Sequence, residues 1–444
     1  MDTSLDHAGW TAVSLVDNLG AVESRPLSSD RPWDRRAVEP TVRAEVIDLV
    51  QYQALAAEWS ALSHAAEEPN VFIDPVVVAA LAQATGARPH VVVAWADGPA
   101  RVHRLIGAWA LISARAALGL PIPILACPFN RLTFLGSPVI AAGQHAAALK
   151  AMCAAIADDP RLPKIVCAND VNAEGPLFAA LAALAQEGRL RHVLLGRKKR
   201  AKLVIAPGDT GYLARSLSSS RRAELRRHRR KLAGLGDLRH VIHRSPEAVA
   251  AAFDQFLELE GRGWKGQRAN RGMAMTLDPR MARFGRDLVR GLAETGSARI
   301  DTLTLDGRPV AMNIHLRSGI AGFGWKMAYD ETFRTFSPGA LLLETLTNEL
   351  IDEGALRFVD ACNRQEDGIA ALFWQDRLDV ADMAIDVRGG RRRRSFVLAV
   401  AAERAKRSST RRLKRIWASP LRRQMSRWIS ARLSRRRKVE SDQG

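Results

Sequence analysis

Cysteine is scarce and poorly placed for cross-linking. Cys127, Cys153, Cys167 and Cys362 are scattered, with no C-x-x-C pair and no metal-ligand spacing. That argues against a disulfide scaffold or a zinc site and fits a reducing compartment, so no metal is expected. Long apolar runs are also missing. Leu105–Ile124 comes nearest, but Arg115, Pro121 and several small residues interrupt it short of the ~18 residues that a spanning helix needs. The opening MDTSLDHAGW is acidic and polar, unlike a signal peptide. A soluble, cytoplasmic chain is the expectation, and 444 residues suggest two or three domains.

Acidic residues are missing from two segments in particular. From Arg388 onward, twenty Lys and Arg face Glu403, Glu440 and Asp442. Between Arg197 and Lys231, thirteen basic residues face Asp209 and Glu224. Together these exceed the chain's whole excess of +19, so the rest is mildly acidic. The basic character is local, and DNA is not an expected partner.

The elements repeat in order. Strand Ala44–Val50 leads to helices Leu55–Ala65 and Val76–Thr85. Strands Pro89–Trp95, Arg101–Ser113 and Ile122–Leu135 follow, then helix Gly143–Asp158, strand Lys164–Ala168, helix Gly175–Glu187 and strand Lys202–Ala206. The second half gives strand Leu238–Ile242, helices Pro246–Gly261 and Pro279–Thr295, a strand meander over 299–328 and helix 338–352. Strand Arg357–Asp360, helix Ile369–Asp376 and strand Val380–Val387 complete it. Two copies of one α/β unit is the economical reading. The expected organisation is a loose segment 1–40, a first domain 41–207, a basic linker helix within 208–237, a second domain 238–388 and an Arg-rich tail 389–444.

The stretch Asp301–Leu346 organises the second unit. Asp306-Gly307 is a strong two-residue hairpin signal between alternating runs. Ser337-Pro338-Gly339 then starts an apolar-periodic helix, with Ser337 expected as N-cap and Pro338 in the first turn. A helix start aimed at strand ends suits a phosphate. The plainer alternative is a capped core helix.

This order of elements is that of GNAT-fold N-acyltransferases, and several motifs sharpen the likeness. Glu260-Gly261-Arg262-Gly263-Trp264-Lys265-Gly266 resembles the E-x-x-x-W-K-G segment of the CelD-like (cellulose and exopolysaccharide biosynthesis) acetyltransferase-domain family. Leu305-Asp306-Gly307-Arg308-Pro309-Val310-Ala311, Tyr329-Asp330, Phe336-Ser337-Pro338-Gly339 and the basic linker add to it. The family is similar in turn to FemAB-type tandem-GNAT proteins, which use aminoacyl-tRNA as donor. The resemblance covers 40–388 and is strongest in 210–388. It implies an α/β (α+β) fold of two tandem GNAT-like domains, with mixed, mostly antiparallel sheets flanked by helices, before the basic tail. It also implies an acyltransferase using acyl-CoA (acetyl-CoA) on a small-molecule amine acceptor, in exopolysaccharide or envelope formation. The strict Q/R-x-x-G-x-G/A pyrophosphate loop is absent. Arg334-Thr335-Phe336-Ser337-Pro338-Gly339 stands in its place.

N-acyl transfer needs an amine freed of its proton and hydrogen-bond donors for the oxyanion. Candidate acids and bases are Glu260, His315, Asp330 and Asp360, with Tyr329 as donor to the leaving thiolate. Donor-binding candidates are Lys326, Arg334, Phe336, Ser337, Pro338 and Gly339. Trp264, Lys265, Gly266 and Asn313 are candidates for the acceptor pocket. Asn313 and His315 alternate on one strand face. Plain alternatives are a solvated helix carboxylate for Glu260, a core histidine, a turn-capping Asp360 and a core Trp264. Trp374 and Arg377 read as structural.

The basic linker presents Arg222, Arg226, Arg229 and Arg230 on one helical face. It is either a solvated bridge or a phosphate-tracking surface for tRNA or an anionic glycan. No aromatics are interleaved apart from Tyr212 upstream, which weakens specific RNA recognition. In the tail, Leu421, Met425, Trp428, Ile429 and Leu433 form a stripe among arginines. That pattern fits either disorder or an interfacial helix on an anionic membrane. Two further alternatives stand beside the acyl-CoA enzyme: a tRNA-dependent aminoacyltransferase, and a non-catalytic partner of a membrane polysaccharide synthase.

Overall fold

A computed structural model describes residues 41–97, 103–117, 120–127, 132–267, 273–363, 368–390 and 393–418. The expected loose segment 1–40 and the apolar stripe beyond 418 lie outside these residues. The described chain from 41 onward belongs to one compact unit. No helix among the described residues is long and apolar enough to cross a membrane.

The first half runs β1 (Val42–Ile47), α1 (Leu49–Ala54), α2 (Ala56–Ala65), α3 (Pro75–Thr85), β2 (Pro89–Asp97), β3 (His103–Arg115), β4 (Pro123–Ala126), β5 (Val139–Ile140), α4 (His145–Asp158), β6 (Ile165–Asn172), α5 (Pro176–Gln186) and β7 (Arg191–Val204). Two helices, α6 (Tyr212–Ser216) and α7 (Ser219–Ala233), bridge the halves. The second half runs β8 (Leu238–His243), α8 (Pro246–Arg262), α9 (Pro279–Glu294), β9 (Ala298–Leu305), β10 (Arg308–Ser318), β11 (Ala321–Tyr329), α10 (Pro338–Glu353), β12 (Phe358–Asp360), α11 (Ala370–Phe373) and β13 (Asp376–Asp386). Helix α12 (Arg394–Ala418) follows.

Several expectations shift. The bridge is two helices because Leu217 is extended and the Ser218 side chain accepts from Arg221 N at 3.2 Å, starting α7 afresh. The expected strand Ile122–Leu135 shrinks to β4, and residues 132–138 are irregular. The expected helix Ile369–Asp376 shortens to α11, since Asp376 already pairs with Lys202 in the sheet. The start of the expected Arg-rich tail is α12, whose Phe396, Ala399 and Val400 are buried chiefly against the first half.

The repeat is visible, but its halves do not close separately. All strands join one mixed sheet in the order β1-β2-β3-β4-β6-β13-β7-β12-β11-β10-β9-β8, with β5 on β3. The last strands of the two units are exchanged: β13 pairs with β6 of the first half, and β7 pairs with β12 of the second. Charge contributes to this pairing. β7 carries Arg197, Lys198, Lys199, Arg200 and Lys202, and Asp379 of β13 faces it, whereas Asp382 and Asp386 of β13 pair with Arg407 and Arg388. Arg197 meets Asp379 at 2.9 Å, and Lys198 meets Asp170 of β6 at 2.7 Å. Opposite charges on neighbouring strands favour one pairing over its shifted alternatives.

At the centre, Arg200 is fully buried between two carboxylates. Its guanidinium lies 3.8 Å from Asp170 and 3.5 Å from Asp360, and donates to Phe134 O at 3.2 Å. Helices cover both faces. One core joins α8, α9 and strands β9–β11 to α3 of the first half. Gly291 in α9 makes this contact possible, because a methyl group there would lie 2.3 Å from Val76 of α3.

Arg200→Ala leaves buried Asp360 without its counter-charge and Asp170 with Lys198 alone, and should cost about 3–5 kcal/mol in urea unfolding. Arg197→Ala removes only a half-exposed pair and should cost about 1 kcal/mol or less. Equal losses for both would show that the buried triad is not special.

Candidate functional site

Strands β11 and β12 run parallel and pair at Ala321–Phe358, Gly322–Val359 and Phe323–Asp360, then part. The parting has a local cause. Asp360 Oδ1 accepts from Cys362 N at 2.8 Å, and Cys362 adopts a left-handed backbone with φ of 49°. This Asx-type turn takes the chain away from the sheet. Among the described residues, no strand covers β11 on that side beyond Phe323.

β11 is also bulged. Ile314 pairs with Lys326 and His315 with Gly324, so Trp325 is the extra residue. The bulge turns two consecutive side chains toward α8. Trp325 stacks on Phe253 at 6.3 Å, and Lys326 Nζ lies 2.7 Å from Glu260 Oε1. Trp325 Nε1 also donates to Leu132 O of the first half at 2.7 Å.

A cavity of ≈ 590 Å³ occupies the splay. Its walls come from both faces of the sheet. Trp264, Lys265, Lys326 and Trp325 stand toward α8, while Asn313, His315, Leu343, Leu346 and Trp374 stand toward α10. Leu132 and Phe134 of the first half close one side. The lining is apolar with a few polar groups, the usual character of a small-molecule site. Several of those groups have unmet bonding capacity: Asn313 Nδ2, both ring nitrogens of His315, and the Asn363 amide. Buried polar atoms are normally paired, so such a cluster in a cavity suits a ligand.

Of the residues expected from sequence, Trp264, Lys265, Asn313, His315 and Lys326 line this cavity. Glu260 lies behind them. It is buried, holds Lys326, and accepts from Met275 N at 2.8 Å, so it is no solvated helix carboxylate. Lys265 Nζ donates to Met327 O at 2.6 Å on the free side of β11. Burial lowers its pKa, with Glu260 opposing and Lys326 adding to the shift. Gly266 fits because a methyl group there would lie 1.8 Å from Gly261 O. Burial, helped by Arg299, pushes the His315 pKa down to about 3. The imidazole is therefore neutral at physiological pH, one nitrogen donating and the other accepting.

The others are placed differently. Asp360 does not line the cavity. It is engaged by Arg200 and Cys362 N, and burial raises its pKa against the opposing charge of Arg200. Asp330 caps a short turn through Thr332. Ser337 occupies the N-cap position of α10 but with φ of 51° and no side-chain cap bond. Its carbonyl instead accepts from Ala340 N and Leu341 N. Of the first-turn amides expected for an anion, Ala340 N is thus already bonded, and Pro338 has none. Arg334 is exposed nearby, and Phe336 is half-buried. Gly339 does not line the cavity but packs behind Met327, which does: a methyl group there would lie 3.4 Å from Met327 Sδ, beside Tyr329. Tyr329 ends β11, 36% exposed.

For an acyl-CoA, the free edge of β11 and the unpartnered amides fit the amide-bearing arm and thioester. At the phosphate end, the α10 start offers Arg334 more than a ready cradle. Sequence reasoning missed Asn363, Cys362, Leu132 and Phe134. No motif marks them, because the first two follow a turn and the others sit in an irregular segment of the other half.

Residues 219–367 match the family model described as Acetyltransferase (GNAT) domain. That segment contains Glu260, Lys265, Asn313, His315 and Lys326. A search of curated proteins gives no match. Among solved structures, FemX matches with a TM-score of 0.52 at 13% identity, over 74% of this chain and 95% of that one. The C-terminal domain (DUF2156) of a putative lysylphosphatidylglycerol synthetase from Agrobacterium fabrum matches with 0.45 at 12%, over 79% and 95%. A tandem GNAT protein from the clavulanic acid biosynthesis pathway matches with 0.38 at 13%, over 79% and 100%. At these identities the FemX match bears on the fold alone.

Neutral burial of His315 has a pH signature. Its ordinary pKa is 6.5 and its native value is about 3, so below 6.5 the unfolded chain binds a proton that the native state does not. Its contribution is complete above 6.5 and falls as the pH drops, by at most about 1.4 kcal/mol per pH unit. His315→Gln should flatten the stability profile between about pH 4 and 6.5, as followed by urea unfolding. Parallel profiles for the two proteins would mean that His315 is not held neutral.

Proposed function

We propose that the cavity in the β11–β12 splay is the active site of an N-acyltransferase. It moves an acyl group from acyl-CoA, acetyl-CoA being the simplest, to the amine of a sugar, amino acid or lipid precursor. The observation that carries this reading is the uncovered edge of β11 beside polar groups without partners, inside a matched acetyltransferase segment. An unpaired strand edge binds an extended amide-bearing arm as another strand would. Its N–H groups are fixed donors for a developing oxyanion.

Each side chain has a role consistent with its surroundings. Lys326, held by Glu260, brings positive charge to the cavity where negative charge develops. Glu260 is then a positioning residue. Neutral His315 and Asn313 orient the acceptor, with Trp264 and Lys265 shaping its entrance and Gly266 holding that turn. Tyr329 stands where it can give a proton to the leaving thiolate. Asp360 acts through the Cys362 turn. Gly339 and Pro338 leave room beside the donor, with Ser337, Phe336 and Arg334 at its phosphate end. A place in exopolysaccharide or envelope formation rests on the sequence resemblance, and contact of the tail with a membrane rests on residues beyond 418.

A second reading, transfer from aminoacyl-tRNA, is favoured by one observation. Arg226, Arg227, Arg230 and Lys231 of α7 are exposed, on a helix packed against residues 331–336.

The full chain should be stabilised by one or more acyl-CoAs, by about 2.7 kcal/mol at about 100 times Kd. Gly324→Val, which thrusts methyl groups into the splay, should abolish that shift in melting temperature. Lys326→Met should lower kcat for amine acylation about 10²- to 10³-fold. No shift with any acyl-CoA would overturn the acyl-CoA reading, and RNase-sensitive transfer from charged tRNA would establish the second.

A further inference from the structure

A second chamber of ≈ 190 Å³ lies beyond His315, under the C-terminal end of α10. His315 lines both cavities, so one imidazole ring is shared between them. The smaller chamber is lined by three arginines, Arg244, Arg299 and Arg317, and one carboxylate, Glu353. At ~30 Å³ per water it has room for about six waters, enough for a phosphate or carboxylate group.

Arg299 is 6% exposed, at the start of strand β9. Its Nε donates to Asp301 Oδ2 at 3.1 Å and its Nη1 to Glu353 Oε1 at 2.7 Å. Its Nη2 is buried and has no partner. Glu353 is already shared with Arg244. Arg317 donates through Nε to Gly319 O at 3.2 Å and has no carboxylate partner among the described residues. After the internal pairs are counted, cationic donors remain on Arg299 and Arg317, with the His315 ring facing the same space. Burial is the main cause of the lowered His315 pKa, and the charges around it agree with a cationic chamber: Arg299, Arg317 and Arg244 depress it further, against Asp301 alone. A buried guanidinium nitrogen without an acceptor is costly unless something supplies one.

We propose that this chamber is a binding site for a small oxyanion, a phosphate or carboxylate group, held by Arg299 Nη2 and Arg317 against the His315 ring. It lies on the other side of the shared His315 ring from the transferase cavity and does not depend on that assignment. The anion is either free or borne on a small metabolite, since the chemistry of the three donors is the same for both.

The test is calorimetric titration of the full chain at low ionic strength with inorganic phosphate, glycerol phosphate and acetate. The His315 ring signals of histidine-labelled protein are followed by NMR alongside. The expected result is saturable binding of at least one probe, with those signals shifting. Arg317→Gln should weaken it about tenfold, the loss of one charge-assisted pair, with Arg317→Lys in between. Arg244→Gln serves as a second variant: it removes one positive charge from the chamber and leaves Glu353 on Arg299 alone, so it should weaken binding too. Phosphate without glycerol phosphate would identify a free anion. Glycerol phosphate binding as well would show that the chamber admits an anion borne on a metabolite, and acetate alone would identify a carboxylate. Absence of saturable binding by all three, or binding that both neutral variants leave unchanged, overturns the proposal.

Discussion

The structure turns on one guanidinium. Arg200 sits in the middle of β7, a strand contributed by the first half to the second, and is shielded from water between Asp170 and Asp360. A buried charge is tolerated only when it is paired, so this position fixes which strands meet there and in what register. Asp360 in turn holds the Cys362 turn that ends β12. The splay between β11 and β12 is therefore a consequence of the same pair. The ion pair does not touch the cavity but determines that there is one.

The cavity belongs to both halves for a related reason. Strand exchange ties the two sheets into one, and the second half's core is completed by α3, Phe72 and Phe134 from the first. Phe72 packs edge-on against both Phe134 and Phe323 at 5.7 and 5.9 Å. The Trp325 bond to Leu132 O closes the same seam. The bulge at Trp325 can then send both this indole and the Lys326 ammonium toward α8, instead of to opposite faces. Without the extra residue, strand alternation would separate them. Glu260 could not then hold Lys326 while Phe253 stacks on its neighbour.

Local signals carried much of this into the sequence. The Asp306-Gly307 hairpin, the Pro-started helices and the alternation in β9–β11 depend on residues near one another in the chain, so the repeat of α/β units could be read directly. Alternation also placed Asn313 and His315 on one face, and the Trp264-Lys265 segment fell at the same cavity. Other features could not be read because their causes are distant or conformational. Strand exchange brings together residues about 180 apart in the chain, such as Arg197 and Asp379. Ser337 has the residue type of an N-cap but a left-handed backbone, which composition does not reveal. Asp360 looked catalytic at a strand end because the Arg200 opposite it lies in another unit. Asn363 has no local signature at all.

The basic run is the sharpest lesson about charge. Arg197–Lys231 reads as one cationic segment, yet it serves two different ends. Its first part, in β7, is matched by Asp170, Asp360 and Asp379 and by the Phe358 ring, which lies 4.8 Å from Lys202 Nζ. That charge is spent inside the sheet and offers little to any partner. Its second part, in α7, meets fewer acids: Arg221 pairs with Glu224 and Arg229 with Glu344, while Arg226, Arg227, Arg230 and Lys231 face solvent. A count of lysines and arginines cannot separate the two, because neutralisation depends on which strand lies alongside. Within this run, the exposed set on α7 contributes most to the field that a charged donor or acceptor would meet on approach.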